Sequence, residues 1–257
     1  MSEQIHITLV QTEIHWENTA ANLAMLESKL SSITVTDIIV LPEMFSTGFS
    51  MNTSLAEAMN GSAIQWMQKT SAERNCVVTG SLMIEEKGKF YNRLIWMRPD
   101  GSFDYYDKRH LFSLSDEPEY YTAGSRLLLT EWKGWKFLPL ICFDLRFPVW
   151  SRNIHDYDAI IYVANWPQKR RLAWSTLLQA RAIENQSYVI GLNRIGNDDN
   201  SIYHSGDSSI INAEGSYLYH KSESEEITTI TIDRNSLNET RKKFPFLVEK
   251  DLFEIKP

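Results

Sequence analysis

Leu140-Ile141-Cys142-Phe143-Asp144-Leu145-Arg146-Phe147-Pro148 is the stretch that decides how this chain folds. Residues 135–143 form an apolar run that reads as a strand, and a cysteine stands at its end. A turn into a helix after such a strand exposes the thiol and sets backbone N–H groups beside it, as a nucleophile elbow does. N–H groups at a helix start also favour a thiolate. The plain alternative is a packed core cysteine, since free Cys is among the most buried residue types.

Outward from this point the chain repeats a rhythm of strand, helix, strand. Residues 5–11 alternate and are rich in β-branched side chains, and residues 18–32 place Leu23, Leu26 and Leu30 on one helical face. Residues 37–41 are a short continuous apolar run, the pattern of a strand buried on both faces. A helix is predicted over 63–74 and a strand over 76–84. Pro99-Asp100-Gly101 between residues 91–97 and 103–106 signals a hairpin. In the second half, strands are predicted over 158–164, 188–194, 208–212, 217–220 and 227–233. Helices are predicted over 171–184 and 236–243. Strands and helices mixed on this scale give an α/β or α+β fold.

Two further places carry chemistry. In Leu41-Pro42-Glu43-Met44-Phe45 a buried-type strand runs into a proline and then a carboxylate. Apolar neighbours would raise the pKa of Glu43 toward general-base range; read alone, it is a solvated Glu past a strand. Tyr106-Asp107-Lys108-Arg109-His110-Leu111 ends a hairpin strand with cations. Lys108 suits oxyanion stabilisation, and its plain alternative is a surface charge cluster. A thiol nucleophile needs both a base and an oxyanion partner, and Glu43, Lys108 and Cys142 supply the three, each after a strand-like run.

Composition excludes other classes. The chain has 257 residues with 26 Lys+Arg against 33 Asp+Glu, a net charge of −7, which argues against nucleic acid as a partner. No run approaches 18 apolar residues, so no membrane span is expected. The N-terminus lacks the basic and apolar regions of a secretory signal, and two cysteines, Cys76 and Cys142, fit a reducing cytosol; a cytoplasmic location is expected. The phosphate-loop, dinucleotide, zinc-protease and G-x-S-x-G motifs are absent, and the six histidines are spread too widely to suggest a metal site.

In order along the chain, Pro42-Glu43, the segment 106–111, the segment 141–148, Gln179-Ala180-Arg181-Ala182-Ile183-Glu184-Asn185, Asn193-Arg194 and His204-Ser205-Gly206-Asp207-Ser208 resemble the nitrilase (carbon–nitrogen hydrolase) superfamily. The resemblance implies one domain over 1–257, with a short irregular tail from about 244. It implies a four-layer α-β-β-α sandwich, a Glu43-Lys108-Cys142 triad, no metal and no cofactor. The backbone N–H of Phe143 would join Lys108 at the oxyanion. Ser115-Asp116-Glu117-Pro118-Glu119 resembles the segment that carries a second, substrate-positioning glutamate. Glu117 has the spacing to Gly124 expected of it, and Glu119 is the reserve.

Asn165-Trp166-Pro167 and the segment 107–112 resemble bacterial omega-amidases, which hydrolyse the terminal amides of 2-oxoglutaramate and 2-oxosuccinamate. The expected partner is thus a small-molecule amide, and a homodimer is implied by the family. N-carbamoyl amino-acid amidohydrolase and nitrilase are the alternatives within the superfamily. From other classes come a peptide hydrolase pairing Cys142 with His110 or His155, and a silent interaction module. A substrate carboxylate needs a cation. Arg146 is the named candidate among Arg109, Arg146, Lys169, Arg170 and Arg171, with the run 169–171 read as a solvated helix start. Asp144 and Arg146 are equally readable as an ion-paired brace of the elbow. Phe112, Tyr120, Tyr121, Trp166 and Trp174 are candidate pocket walls.

Overall fold

The structure is a computed structural model that describes residues 3–255. Its first half runs β1 (Gln4–Gln11), α1 (Thr19–Leu30), β2 (Ile38–Val40), α2 (Ser62–Arg74), β3 (Val77–Glu86), β4 (Lys89–Met97), β5 (Phe103–Asp107) and α3 (Glu117–Tyr120). The second runs β6 (Thr130–Trp132), β7 (Trp135–Ile141), β8 (Ala159–Ala164), α4 (Arg171–Asn185), β9 (Tyr188–Asn193), β10 (Ile195–Asn197), β11 (Tyr203–Ile211), β12 (Tyr217–Ser222), β13 (Glu226–Asp233) and α5 (Arg234–Lys243).

The strands form two sheets, ordered β13-β1-β2-β3-β4-β5 and β10-β11-β9-β8-β7-β6, with β12 paired to β11. In each sheet the three central strands are parallel, β1-β2-β3 and β7-β8-β9. The flanking strands pair antiparallel.

Period-two alternation explains why the sheets stack. Ile5, Ile7, Leu9, Ile38 and Val40 belong to one buried cluster with Phe137, Ile160, Val163 and Val189 of the second sheet. Their sequence neighbours Val10, Ile39 and Leu41 turn the other way, onto Leu26 and Leu30 of α1 and Met67 of α2. On the far side α4 and α5 bring Trp174, Leu178, Ala182 and Leu237 to the second sheet. The order is helix, sheet, sheet, helix, the four-layer α/β arrangement that the family resemblance implies. At about 1.5–3 kcal/mol for each large apolar side chain buried, these faces dominate the driving force.

The run expected to continue as strand to Phe143 stops at Ile141, and Cys142–Arg146 is a 3-10 turn. Cys142 has φ +43°, left-handed backbone that no strand tolerates. Apolar composition alone hides that break. The short β6 and β10 and the single turn α3 carry too few residues for periodicity to reveal them. After α5, the tail expected to be irregular from about 244 contains one 3-10 turn, Phe246–Glu249.

One glycine matters to the site. The N–H of Gly124 donates to the Lys108 carbonyl at 2.9 Å, and a Cβ on it would lie 2.1 Å from the main-chain oxygen of Asp107. Backbone cannot step aside as a flexible side chain would. We expect Gly124→Ala to cost about 1–3 kcal/mol, the range of overpacked sites, read as a lower urea midpoint with an unchanged slope. An unchanged midpoint would show that this contact is relaxed in solution.

Candidate active site

Four strand ends meet at one corner of the sandwich. β2 leads through Leu41-Pro42 to Glu43, β5 ends one residue before Lys108, β7 ends one residue before Cys142, and β8 ends one residue before Asn165. Three of these are carboxyl ends of parallel strands, where α/β sheets present their sites.

Glu43, Lys108 and Glu117 are fully buried together. The Lys108 Nζ donates to Glu43 Oε1 at 2.9 Å and to Glu117 Oε1 and Oε2 at 3.0 and 2.9 Å. Asn92 Nδ2 donates to Glu43 Oε1 at 2.9 Å and to Glu117 Oε1 at 3.2 Å. Glu43 Oε2 accepts the Asn165 main-chain N–H at 2.8 Å, and Glu117 Oε2 accepts that of Phe112 at 2.6 Å. Burial by itself would lower the pKa of Lys108, but the charges of Glu117 and Glu43 outweigh it and hold the ammonium above its ordinary value. Burial pushes Glu117 up against the opposing pull of Lys108. Glu119 is exposed on the same turn, so of the two glutamates only Glu117 reaches the lysine.

Cys142 is half-buried and free. Its thiol is pushed well up, first by burial and then by the adjacent Glu43 carboxylate, with Lys108 and the Asn165 N–H pulling the other way. The resting sulfur is therefore a thiol with a carboxylate at hand, and the N–H contribution expected to favour thiolate is outweighed. Phe143 is the second residue of the 3-10 turn, so its N–H is among the first-turn donors that lack an intrahelical partner.

Asp144 holds the elbow. Its buried carboxylate accepts from Ile141 N at 3.1 Å, Tyr106 Oη at 2.8 Å, His110 N at 3.1 Å and His110 Nδ1 at 2.8 Å. The bracing expected of Asp144 is present, but it runs through these groups and not through Arg146. His110 is thus turned to Asp144 and stacked on Phe147 at 3.6 Å. His155 is exposed and lines a separate depression with Leu129 and Lys136. The groups that act on Cys142 are Glu43, Lys108 and Asn165, not an imidazole.

The thiol opens on a cleft walled by Phe49, Phe112, Phe143, Trp166, Arg146, Arg170, Asp198, Ile202 and His204. Of the aromatics considered from sequence, Phe112 and Trp166 are here. Tyr121 is buried with its hydroxyl on the Ser50 carbonyl at 2.7 Å, Trp174 bonds the Asp207 carbonyl at 2.9 Å, and Tyr120 is exposed. Of the five cations, Arg146 lies over the Trp166 ring at 5.0 Å and Arg170 over the Phe112 ring at 4.9 Å. Neither has a carboxylate partner among the described residues. Arg109 is turned to the Gly124 carbonyl and the Trp150 ring. Arg171 is paired with Asp207 and Glu223, and Lys169 is exposed. The run 169–171 is therefore not uniformly solvated.

Sequence reading missed Phe49, Asn92 and Ile202, and it gave no role to His204, which it matched only as part of the segment 204–208; the β10–β11 hairpin brings both Ile202 and His204 to the cleft. The available signal for Asn92 was a polar residue inside an apolar strand. The two lips of the cleft share one anchor: Glu223 accepts from Gln168 and Arg171 on one side, both at 3.2 Å, and from the Tyr203 hydroxyl on the other at 2.8 Å. Among the described residues no group of three or more His, Cys, Asp or Glu side chains could hold a metal ion, and no helix is long and apolar enough to cross a membrane.

Residues 6–242 match the carbon-nitrogen hydrolase family. The chain is 42% identical over 253 residues, 98% of either chain, to the omega-amidase YafV of Escherichia coli K12. It is 36% identical over 226 residues to the 2-oxoglutaramate amidase of Bacillus subtilis, spanning 84% of this chain and 86% of that one. The crystal structure of XC1258 from Xanthomonas campestris superposes with a TM-score of 0.97 at 38% identity, covering 99% of this chain and all of the other. That structure is of a CN-hydrolase superfamily protein with an arsenic adduct in its active site. The chain belongs to the carbon–nitrogen hydrolase family, within the nitrilase superfamily. It is an amidase that acts on non-peptide carbon–nitrogen bonds.

The electrostatics of the thiol lead to a measurable shift. Glu43→Gln removes the anion that raises the Cys142 pKa, so the pH midpoint for alkylation of Cys142 by iodoacetamide should move down. Peptide mass spectrometry separates this signal from Cys76, which is buried with its thiol pushed up to about 12. A midpoint that stays or rises would mean the carboxylate does not act on the sulfur.

Proposed function

We propose that this protein is an omega-amidase that hydrolyses the terminal carboxamide of a small 2-oxo dicarboxylic acid monoamide through a thioester on Cys142. The observation that carries the reading is the meeting of Cys142, Glu43 and Lys108 at the floor of a cleft whose wall holds two arginines without carboxylate partners.

The proposed chemistry uses these groups in turn. As Cys142 Sγ attacks the amide carbonyl carbon, its proton passes to Glu43. The carbonyl π pair moves onto oxygen, and Lys108 and the Phe143 N–H hold that oxyanion. Glu43 gives its proton to the departing nitrogen, the C–N bond breaks and ammonia leaves. Glu43 then takes a proton from water, the hydroxide adds to the thioester, and the collapsing intermediate releases the carboxylic acid and restores the thiol. Glu117 shares Lys108 and fixes its direction. Because the thiol rests protonated, the base is needed at the moment of attack, not before it.

Substrate charge is the finer part of the reading. Burial, and beyond it the nearby charge of Arg146, hold Arg170 below the ordinary arginine range. Two like charges facing one cleft are relieved by an anion, and a guanidinium fork binds both oxygens of a carboxylate. The relatives named as omega-amidase and 2-oxoglutaramate amidase support the same choice.

Cys142→Ala should abolish ammonia release while leaving circular dichroism unchanged. Quenched wild-type turnover should show an acyl adduct on the Cys142 peptide by intact and peptide mass spectrometry. Full activity in a folded Cys142→Ala would end the thioester reading.

A second assay tests the substrate. Across 2-oxoglutaramate, 2-oxosuccinamate, glutamine, asparagine, N-carbamoyl-β-alanine, simple aliphatic amides and nitriles, the 2-oxo omega-amides should have the highest kcat/KM. Arg146→Gln and Arg170→Gln should each raise KM for them by tenfold or more, since a hydrogen bond to a charged group contributes about 1.5–3 kcal/mol. Their effect on a neutral aliphatic amide should be small. Preference for the carbamoyl compound or a nitrile would move the protein to another branch of the superfamily and leave the thioester chemistry intact.

A further inference from the structure

Asn92 is a fully buried amide on β4 that no motif singles out. Its Nδ2 and the Lys108 Nζ bridge the same pair of oxygens, Glu43 Oε1 and Glu117 Oε1, at 2.9 and 3.2 Å from the amide and 2.9 and 3.0 Å from the ammonium. The arrangement is a four-membered diamond of two carboxylate oxygens and two donors. The Asn92 Oδ1, meanwhile, is buried with no partner. Leaving a buried carbonyl unsatisfied is costly, and a flipped amide would set that oxygen against two carboxylates. The two charges therefore dictate which way the amide faces. Asn165 repeats the pattern, donating to Glu43 Oε2 at 3.4 Å and to the Glu43 carbonyl at 2.7 Å while its own Oδ1 goes unpartnered.

Two carboxylates that share a buried site ordinarily keep one proton between them. Lys108 supplies one bridge, and the second bridge is where a shared proton would sit. We propose that Asn92 is a positioning residue that occupies this second bridge with N–H donors, so that Glu43 and Glu117 both rest deprotonated and Glu43 is free to take the thiol proton. The inference rests on the reading of Glu43 as proton acceptor. The ionisable groups that face the pair are Lys108 at the end of β5, Cys142 at the elbow and Tyr121 after α3, whose hydroxyl is committed to the Ser50 carbonyl. None of them can fill the bridge. Without the amide, one proton from solvent would lodge between the glutamates and block the base.

The sign of the effect is fixed. Donors to a carboxylate favour its charged form, so removing them raises the pKa of the pair and moves the acid limb of activity to higher pH. We would record kcat and KM against pH, with the best amide substrate, for wild type, Asn92→Leu, Asn92→Asp and Glu43→Gln, with circular dichroism and thermal melts of each. Asn92→Leu keeps the volume without the donors. It should move the acid limb of kcat/KM up by about one pH unit, with kcat falling about tenfold on the acid side and KM within about twofold. Asn92→Asp keeps the shape and adds a third carboxyl, so it should move the limb farther in the same direction. If Asn92→Leu does not fold, Asn92→Asp alone decides. Acid limbs that stay at the wild-type pH, with activity merely scaled down, overturn the inference, as does an effect confined to KM. A dead Glu43→Gln beside unshifted Asn92 variants rejects this role of Asn92 alone, whereas an active Glu43→Gln removes the base and this inference with it.

Discussion

The Lys108 ammonium, shut away from water between two carboxylates, constrains much of the fold around it. Burying each ion costs several kcal/mol after relaxation, and the deficit is offset only if every lone pair and proton finds a partner. Here the partners come from both sheets: Asn92 from β4, the Phe112 N–H from the loop after β5, and the Asn165 N–H from the end of β8. The bond from Asn165 to Glu43 therefore joins the sheets at the corner where the cleft opens. A one-residue slip of β4 would bring Arg93 to the inner face in place of Asn92. On its own face Arg93 is equally committed, paired with Asp107 at 2.6 Å and stacked on Tyr105 at 4.0 Å.

How much of this was legible in the sequence follows from how each residue is placed. Glu43, Lys108 and Cys142 each follow a strand-like run, and they were legible because together they supply a base, an oxyanion partner and a nucleophile. Glu117 was legible only through the family resemblance, which sets its spacing to Gly124, a glycine at which the Asp107 carbonyl would exclude a Cβ. Asn92 acts from inside a strand, and its meaning depends on two side chains distant in the chain. Phe49 and Ile202 reach the cleft from loops, where no period applies, and His204 from the second residue of β11. The choice among five cations was likewise closed to sequence, because Arg170 and Arg171 are neighbours in the chain yet one faces the cleft and the other an ion-paired surface. The end of β7 was misplaced by two residues because Phe143 is apolar and only the backbone at Cys142 records the turn.

The elbow joins local strain to electrostatic restraint. Left-handed backbone at a non-glycine residue costs of order 1–3 kcal/mol and persists only where surroundings over-determine it. Asp144 supplies that determination through four hydrogen bonds to the elbow, His110 and Tyr106. Burial, and after it the Glu43 carboxylate, meanwhile push the pKa of the thiol up.

The floor and the mouth of the cleft are built by different means. Buried strand ends make the floor, together with a charge cluster in which every carboxylate oxygen of Glu43 and Glu117 is hydrogen-bonded. The lips are short turns and a hairpin joined at the surface by Glu223. A substitution at the lips breaks none of the hydrogen bonds that hold Glu43, Lys108 and Glu117 together. Under the proposed function, the shape of the acyl group admitted and the chemistry done on it would then rest on separate parts of the fold, so that one could be redesigned without disturbing the other.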